Sequence, residues 1–145
     1  MKILDQLVAH LVHAEAILVS VQSTRGSVPR DVGAWMAVFA NQIVGTVGGG
    51  HLEFDAIAFA RQCQLQVGDE AIQRYALGPN LGQCCGGEVY LRFERVSVAD
   101  VPKLNIRLRS AYTPVALFGG GHVGRALIDV LSNLPFMVTR ELTKK

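Results

Sequence analysis

The sequence has few charged residues and little net charge. Of its 145 residues, 18% are charged and 50% are hydrophobic, and 14 basic against 12 acidic residues leave a formal net charge of +2. A chain with so much apolar surface and so little charge collapses instead of staying disordered. So small a positive charge does not supply the concentrated basic patch that neutralises a run of nucleic-acid phosphates. We therefore expect a folded protein that does not bind nucleic acid.

Cysteine is also scarce, and long apolar runs are missing. The cysteines are Cys63, Cys84 and Cys85, and adjacent cysteines bridge each other only with strain, so no disulfide framework is predicted. Free thiols are typical of the reducing cytosol. Charged residues and histidines interrupt the apolar N-terminal segment, unlike the core of a secretory signal, and no run of about 18 apolar residues is present to span a membrane. These absences predict a cytoplasmic protein without stable membrane insertion.

Hydrophobic periodicity predicts an α/β (or α+β) fold, with a mixed sheet and flanking helices. Apolar residues at intervals of three and four predict a helix over residues 3–12. A β-branched apolar run predicts a buried strand over residues 16–21, followed by a turn-rich stretch at 23–30. Two further runs, at 33–39 and 42–47, predict a hairpin.

The middle of the chain continues with one helix and two strands. The helix is predicted after a triple glycine, and the strands at 71–77 and 88–96 with a glycine-rich loop between them. The polar stretch that follows carries Pro102 and predicts a linker with a short helix. We therefore expect one domain over residues 1–97 and a linker over residues 98–113.

The last segment, residues 114–145, predicts an incomplete Rossmann-like unit. A strand, a glycine-rich turn, a helix and a second strand follow in order, which is the opening unit of a dinucleotide-binding fold. Gly119, Gly121 and Gly124 have the GxGxxG spacing that brings a pyrophosphate to a helix N-terminus, and the same glycines also suit a turn that binds nothing. Only residues 125–145 follow, too few for the remaining strands, so we do not expect this chain to bind NAD(P).

Three loops with arginine or glycine occur at residues 25–30, 48–51 and 82–87. Loops at the ends of core strands commonly meet ligands, and guanidinium groups there bind phosphate or a polar heterocycle. Glycine N–H groups that open onto a helix receive anionic groups, although the same glycines also suit a tight turn. A glutamate in the first turn of that helix opposes an anion unless it caps the helix or binds a polar group of the ligand. The candidate binding residues in and beside these loops are Arg25, Ser27, Arg30, Gly48, Gly49, Gly50, His51, Glu53, Gly86 and Gly87.

The third loop also holds two adjacent cysteines, Cys84 and Cys85. The neighbouring glycines leave backbone N–H donors that stabilise a thiolate, the form that ligates soft metals or attacks sulfur. A structural zinc site is not predicted, because zinc-binding cysteines are commonly separated by two to four residues. Cys63 falls within the predicted helix and is expected to be buried and inert.

These motifs, in this order, resemble the XdhC/CoxI family of molybdenum-enzyme maturation proteins, also described as xanthine dehydrogenase accessory factors. The matching pieces are STRGSVPRDVGAWM (23–36), VGTVGGGHLE (44–53), LGQCCGG (81–87) and LFGGGHVGRAL (117–127). The resemblance implies a protein that binds the molybdenum cofactor, protects it while a terminal oxo ligand is exchanged for sulfur, and inserts it into a xanthine dehydrogenase-type enzyme. It also implies that the chain is a chaperone and not itself a catalyst of turnover.

The resemblance further implies an essential thiol in the cysteine loop. Cys85, directly before the glycine pair, is the first candidate for that thiol and for a molybdenum ligand, and Cys84 is the second. The implied partner is a xanthine dehydrogenase-type molybdoenzyme, with a cysteine desulfurase as a further candidate.

The C-terminus departs from the family pattern, because family members continue through a whole Rossmann-like domain. The strand expected at 115–118 lacks a cover in this sequence, which predicts self-association into a homo-oligomer, exchange of the tail between protomers, or disorder there. Two other functions stay open. One is an NAD(P)-dependent oxidoreductase or sulfur-transfer enzyme that uses a loop cysteine, and the other is an inert fold remnant with only a partner-binding surface.

Overall fold

The computed structural model describes residues 2–28, 30–78 and 86–141. Over these residues it contains seven strands in two sheets and four α-helices, so the predicted α/β class is confirmed. The strands are β1 (Ala16–Arg25), β2 (Trp35–Val38), β3 (Ile43–Gly45), β4 (Glu70–Ala76), β5 (Glu88–Val96), β6 (Thr113–Phe118) and β7 (Phe136–Glu141). The helices are α1 (Lys2–Leu11), α2 (Gly50–Gln62), α3 (Val101–Ser110) and α4 (His122–Leu131).

The larger sheet has the strand order β3-β2-β1-β5-β4, and each pair of neighbouring strands is antiparallel. The long strand β1 lies at its centre, where Leu18 pairs with Ala37 of β2 and Val19 pairs with Phe93 of β5. The smaller sheet pairs β6 and β7 in parallel. Antiparallel and parallel pairing therefore occupy separate sheets.

Helices cover both faces of the five-stranded sheet. Because successive strand residues point to opposite faces, Val19 packs in a cluster that contains Leu52 of α2, whereas the preceding Leu18 packs in a second cluster. That second cluster contains Leu7 of α1 and Leu104 of α3. The result is three layers around two buried apolar clusters, which is how a sheet with two apolar faces removes them from water.

Most local predictions for this part of the chain are confirmed. The helix predicted at 3–12 is α1, the hairpin is β2–β3, and the helix after the triple glycine is α2. The strands predicted at 71–77 and 88–96 are β4 and β5.

Two local predictions are corrected by the structure. β1 continues to Arg25 instead of ending before residue 23, because β5 pairs with it as far as Glu88, across an irregularity between Val21 and Ser23. Cys63 does not lie within α2: it is the C-cap residue, has extended backbone and is half-buried, and its thiol donates a hydrogen bond to the Ala60 carbonyl at 3.2 Å.

The polar stretch predicted as a linker contains a core helix. A short 3₁₀ turn over Val98–Asp100 leads into α3, whose Leu104 and Leu108 are buried against the cluster that α1 also covers. Pro102 lies in the first turn of α3, where its missing N–H costs no intrahelical hydrogen bond. This helix completes the cover of one sheet face, and the domain boundaries themselves stay predictions.

The strand, glycine turn, helix and strand predicted for the last segment are confirmed as β6, α4 and β7. The two strands pair in register from Thr113 opposite Phe136 to Phe118 opposite Glu141. In the part of the chain that the structure describes, no helix is long and apolar enough to cross a membrane.

Candidate functional site

Strands β1, β3 and β4 run in the same direction, so the loops that follow them lie toward one end of the large sheet, here called the loop end. Arg25, the last residue of β1, pairs with Glu88 at the start of β5, and Ala76, the last residue of β4, pairs with the same Glu88. β3 ends sooner, at Gly45, which pairs with Met36. The antiparallel topology thus brings toward one end the strand ends that lead into the three loops that the sequence singles out.

Two of the predicted loops are in direct contact at the loop end. Gly87 is buried, and a Cβ atom placed on it would lie 2.3 Å from the Ser27 carbonyl oxygen and 2.5 Å from that of Arg25. Only glycine fits this approach. Its carbonyl also accepts a hydrogen bond from the Leu77 N–H at 2.7 Å, which fixes it to the end of β4. The STRGS and CCGG motifs therefore meet through Gly87, while Gly86 is exposed with open space around its Cα.

The candidate thiols Cys84 and Cys85 lie outside the described residues, between Gly78 and Gly86. Within the described ranges, no group of three or more His, Cys, Asp or Glu side chains that could hold a metal ion is found. The roles of both cysteines stay predictions.

The polar residues of the β1–β2 loop are accessible. Arg25, Ser27 and Arg30 are all exposed. The hydrogen bond that Arg74 donates to Glu88 is the main cause that lowers the pKa of this carboxyl, and the charges of Arg74 and Arg25 lower it further. The Arg25 guanidinium therefore interacts electrostatically with the Glu88 carboxylate.

The triple glycine turns the chain sharply into α2. Gly48, Gly49 and Gly50 have φ angles of 133°, 75° and 62°, a left-handed backbone that other residues rarely adopt. The turn is held by Glu53, whose Oε1 accepts hydrogen bonds from the Thr46 hydroxyl at 2.6 Å and from the Val47 N–H at 3.0 Å. Glu53 thus orders the turn that the glycines make.

The helix that follows this turn begins without a side-chain cap. The N-cap residue, Gly49, offers no side-chain hydrogen bond to the first turn of α2, and His51 is exposed. The positive end of the α2 dipole therefore lies beside the turn.

The structure does not bring the second glycine motif to the same place. Gly119 follows the C-terminal end of β6, and Gly121 is the N-cap of α4. The parts of this unit that approach the large sheet are residues 111–113 and 133–136, at the opposite ends of β6 and β7. β6 has six residues, and a strand rises about 3.3 Å per residue. Gly119, Gly121 and Gly124 therefore lie about the length of β6 away from the end of this unit that approaches the large sheet.

A cleft of about 500 Å³ separates the large sheet from the β6–α4–β7 unit. Arg30 is the one predicted binding residue from the β1–β2 loop that lines it. Its neighbour Asp31 and the distant Tyr112 also line it and were missed by sequence reasoning. Burial raises the pKa of the Tyr112 hydroxyl, with a smaller opposing effect of the Arg109 charge, so this side chain is neutral. Asp31 could have been found from its position next to Arg30, whereas no sequence signal marks Tyr112.

A second cleft, of about 590 Å³, lies at the other end of the large sheet. Cys63, Glu15 and Arg95 line it. Arg95 pairs with Ile17 near the start of β1, so this cleft is remote from the loop end.

Residues 12–76 match the model of the XdhC and CoxI family, so the resemblance expected from the motifs is confirmed for this segment. It extends from the end of α1 through β4. No curated protein matches the chain.

The fold is similar to the crystal structure of a xanthine dehydrogenase from Bacillus halodurans. The TM-score is 0.68 at 17% sequence identity, and the similarity covers 97% of this chain. The chain spans 62% of the length of that protein. At this identity the likeness shows the fold alone.

Proposed function

Because residues 12–76 match the XdhC and CoxI family model, we propose that this protein is a maturation chaperone for a molybdenum enzyme. Its cargo is the molybdenum cofactor, a pterin dithiolene that carries molybdenum and a phosphate. The protein holds this cofactor while its terminal oxo ligand is exchanged for sulfur and then delivers it to a xanthine dehydrogenase-type enzyme. A cysteine desulfurase is the proposed source of the sulfur.

The observation that carries this proposal is the contact of Gly87 with the Arg25 and Ser27 carbonyls. Through it, the chain that leaves the cysteine motif runs beside the arginine loop. This contact supports the proposal that a soft donor for molybdenum from the cysteine motif and positive groups for a phosphate act at one end of the sheet.

Exposed positive groups at the loop end suit an anionic group of the cargo. Arg25 and Arg30 are exposed, and the positive end of the α2 dipole lies beside the glycine turn. The Glu53 carboxylate at this turn already accepts hydrogen bonds from Thr46 and Val47. We propose that Arg25, Ser27 and Arg30 bind the phosphate side of the cofactor, together with the N–H of Gly50 at the start of α2, because the Gly48 N–H already donates to the Thr46 hydroxyl at 3.1 Å.

We propose Cys85 as the thiol that binds molybdenum, with Cys84 as the second candidate. A thiolate flanked by glycine N–H groups is stabilised and soft, which suits a molybdenum or sulfur partner.

The experiment mixes the full chain anaerobically with molybdenum cofactor and measures the molybdenum retained after desalting. Wild type should retain the metal, and Cys85→Ala should lose most of it. Cys63→Ala is the matched control, since Cys63 lies at the C-terminal end of α2 and donates to Ala60. Equal retention by Cys85→Ala and wild type, or no retention by wild type, would contradict the proposal.

The β6–α4–β7 unit supports self-association of the chain. Phe118 and Val123 are 74% and 75% exposed, and Val130 is 58% exposed. Exposed apolar surface of this kind favours protein–protein contact. Sedimentation velocity of the full chain should show a homo-oligomer that Phe118→Ser combined with Val123→Ser weakens. A monomer at all concentrations would contradict it.

The same unit gives the alternative function one supporting observation. β6, the glycine turn and α4 are arranged as in a dinucleotide site, with Gly121 at the helix N-cap. Calorimetry with NAD(H) and NADP(H) separates the two functions: the chaperone predicts no tight binding, and the oxidoreductase predicts binding that Gly121→Val abolishes.

A further inference from the structure

The cleft between the large sheet and the β6–α4–β7 unit has the size and lining of a small-molecule site. Its volume of about 500 Å³ lies in the range of roughly 300–1,000 Å³ that is typical of such sites. Its walls come from the β1–β2 loop on one side and from residues 111–113 and 133–136 on the other. The two sides touch at Gly33, where an added Cβ would lie 2.9 Å from the Ala111 Cβ.

Flat and apolar groups form much of the cleft. The aromatic residues in its lining are Trp35, Tyr112 and Phe136, and Leu134 and Pro135 lie beside them. Trp35 and Tyr112 are mostly buried, at 6% and 8% exposure, so packing holds them in place. Phe136 is only partly buried, and an aromatic ring that keeps exposed surface favours a planar ligand that lies against it.

Two opposite charges lie next to each other in this lining. Arg30 and Asp31 are both exposed, and neither side chain has an ion-pair or hydrogen-bond partner among residues 2–28, 30–78 and 86–141. A guanidinium pairs with an anionic substituent, and a carboxylate accepts two hydrogen bonds from adjacent N–H groups of a heterocycle. The cleft therefore offers complementary partners to a ligand that carries both features.

We propose that this cleft binds the pterin ring of the cargo through its 2-amino-4-oxo edge. The Asp31 carboxylate accepts hydrogen bonds from the ring N–H and the 2-amino group, and Arg30 pairs with the anionic substituent of the same molecule. This inference rests on the proposed function for the identity of the cargo. It adds a specificity residue, Asp31, and a wall from the β6–α4–β7 unit, neither of which belongs to the glycine or cysteine motifs.

The test uses pterin-6-carboxylate, which has the same ring edge and an anionic group but no molybdenum and no dithiolene. Its fluorescence anisotropy is measured during titration with the full chain. Wild type should bind it, and Asp31→Asn should weaken binding about tenfold, as expected when a charged acceptor of two hydrogen bonds is lost. Arg30→Gln should weaken it by a similar factor.

Matched controls separate recognition of the edge from nonspecific effects. Lumazine-6-carboxylate has an oxo group in place of the 2-amino group, so wild type should bind it about tenfold more weakly, and Asp31→Asn should cause little further loss. Asp129→Asn and Arg61→Gln change exposed residues that do not line the cleft and should bind like wild type. Equal binding of both ligands by wild type, or equal binding of pterin-6-carboxylate by Asp31→Asn and wild type, would overturn the inference.

Failure of this inference differs from failure of the proposed function. If wild type retains molybdenum cofactor but Asp31→Asn binds the pterin probe as well as wild type, the chaperone stands and the cleft assignment is wrong. If the probe binds with the expected dependence on Asp31 while no molybdenum cofactor is retained, the cleft is a pterin site and the chaperone function is wrong.

Discussion

In the five-stranded sheet, apolar side chains on both faces are buried beneath helices, whereas in the β6–α4–β7 unit every residue from 113 to 141 is at least partly exposed. Both parts have amphipathic helices beside apolar strands. The difference is the number of layers: β1 has neighbours on both edges and helices on both faces, while β6 has one parallel partner, β7. Secondary structure alone therefore does not make a core, and burial comes from layers packed on both sides of a sheet.

The same difference separates the candidate binding residues. The candidate residues of the loop end follow strands whose side chains pack in the two buried apolar clusters. Gly87 contacts the end of β1 through the Arg25 carbonyl and the end of β4 through the Leu77 N–H. The Gly119–Gly124 turn stands on a unit without a buried core. We expect the first set to be well ordered and the second to depend on contacts with another molecule.

The largest effect should come from truncating the core of the sheet. Phe93 is fully buried and meets Phe59 edge to face with ring centroids 4.6 Å apart. Phe93→Ala should lower the free energy of unfolding by about 3–5 kcal/mol, because it removes a large buried ring and leaves a cavity. Urea denaturation followed by the fluorescence of Trp35, the one tryptophan, measures this loss.

Phe118→Ala is the counterpart in the β6–α4–β7 unit. Phe118 is 74% exposed in the single chain, so at protein concentrations at which the chain is monomeric its truncation should change the free energy of unfolding by no more than about 0.5 kcal/mol. A cost comparable to that of Phe93→Ala at those concentrations would mean that Phe118 is buried within the monomer and would contradict the contrast between the two parts.

A smaller loss of stability is expected when a Cβ atom is added at the close contact between Gly87 and the arginine loop. Gly87→Ala places a Cβ within 2.5 Å of two carbonyl oxygens and should cost about 1–3 kcal/mol through overpacking. It should also reduce cofactor retention, because Gly87 can no longer lie against the carbonyls of Arg25 and Ser27, two residues that are proposed to bind the cofactor. Gly86→Ala meets no atom within 4 Å and should match wild type in both measurements. Equal stability and equal cofactor retention of the two variants would contradict the close contact of Gly87 with the Arg25 and Ser27 carbonyls.

The next largest loss of stability should come from removing the hydrogen bonds that hold the glycine turn. Glu53→Ala removes the acceptor for the Thr46 hydroxyl and the Val47 N–H and should cost about 1–2 kcal/mol. Glu53→Gln keeps an acceptor oxygen and should cost less than half of that. Equal losses for the two variants would show that the carboxylate charge, and not its hydrogen bonds, holds the turn.

The smallest effect concerns the exposed ion pair between Arg74 and Glu88. The pKa of Glu88 is below its ordinary value of 4.5, so the pair stabilises the folded state above that pH and loses its contribution as the pH falls through the lowered pKa. The urea midpoints of wild type and Glu88→Gln should therefore differ slightly at neutral pH and converge in acid. A difference that grows as the pH falls would contradict the direction of the shift.

Local patterns predict most helices and strands, because a period of apolar residues, a compact apolar run or a preceding glycine turn marks each of them in the sequence. The sequence did not predict that β1 lies between β2 and β5, since pairing joins residues as distant as Arg25 and Glu88. Nor did it predict where β1 ends, because turn-forming residues after Val21 are held extended by β5.

The candidate site was predictable only in part, for the same reason. The arginine, glycine and cysteine loops carry visible motifs, and the strands that precede these loops end toward the same side of the large sheet. The cleft is different: Asp31, Tyr112 and Phe136 come together only through tertiary packing, and no motif joins them. The sequence predicts that Glu53 caps the helix or contacts the ligand, whereas in the structure it accepts hydrogen bonds from Thr46 and Val47 and so orders the turn.

The most direct test of the chaperone proposal is the molybdenum and pterin content of the full chain purified anaerobically from cells that make the cofactor. We predict that molybdenum and pterin elute together with the protein, and that Gly87→Ala loses both while Gly86→Ala keeps them. Wild-type protein that elutes with neither, from cells that contain the cofactor, would contradict the proposal.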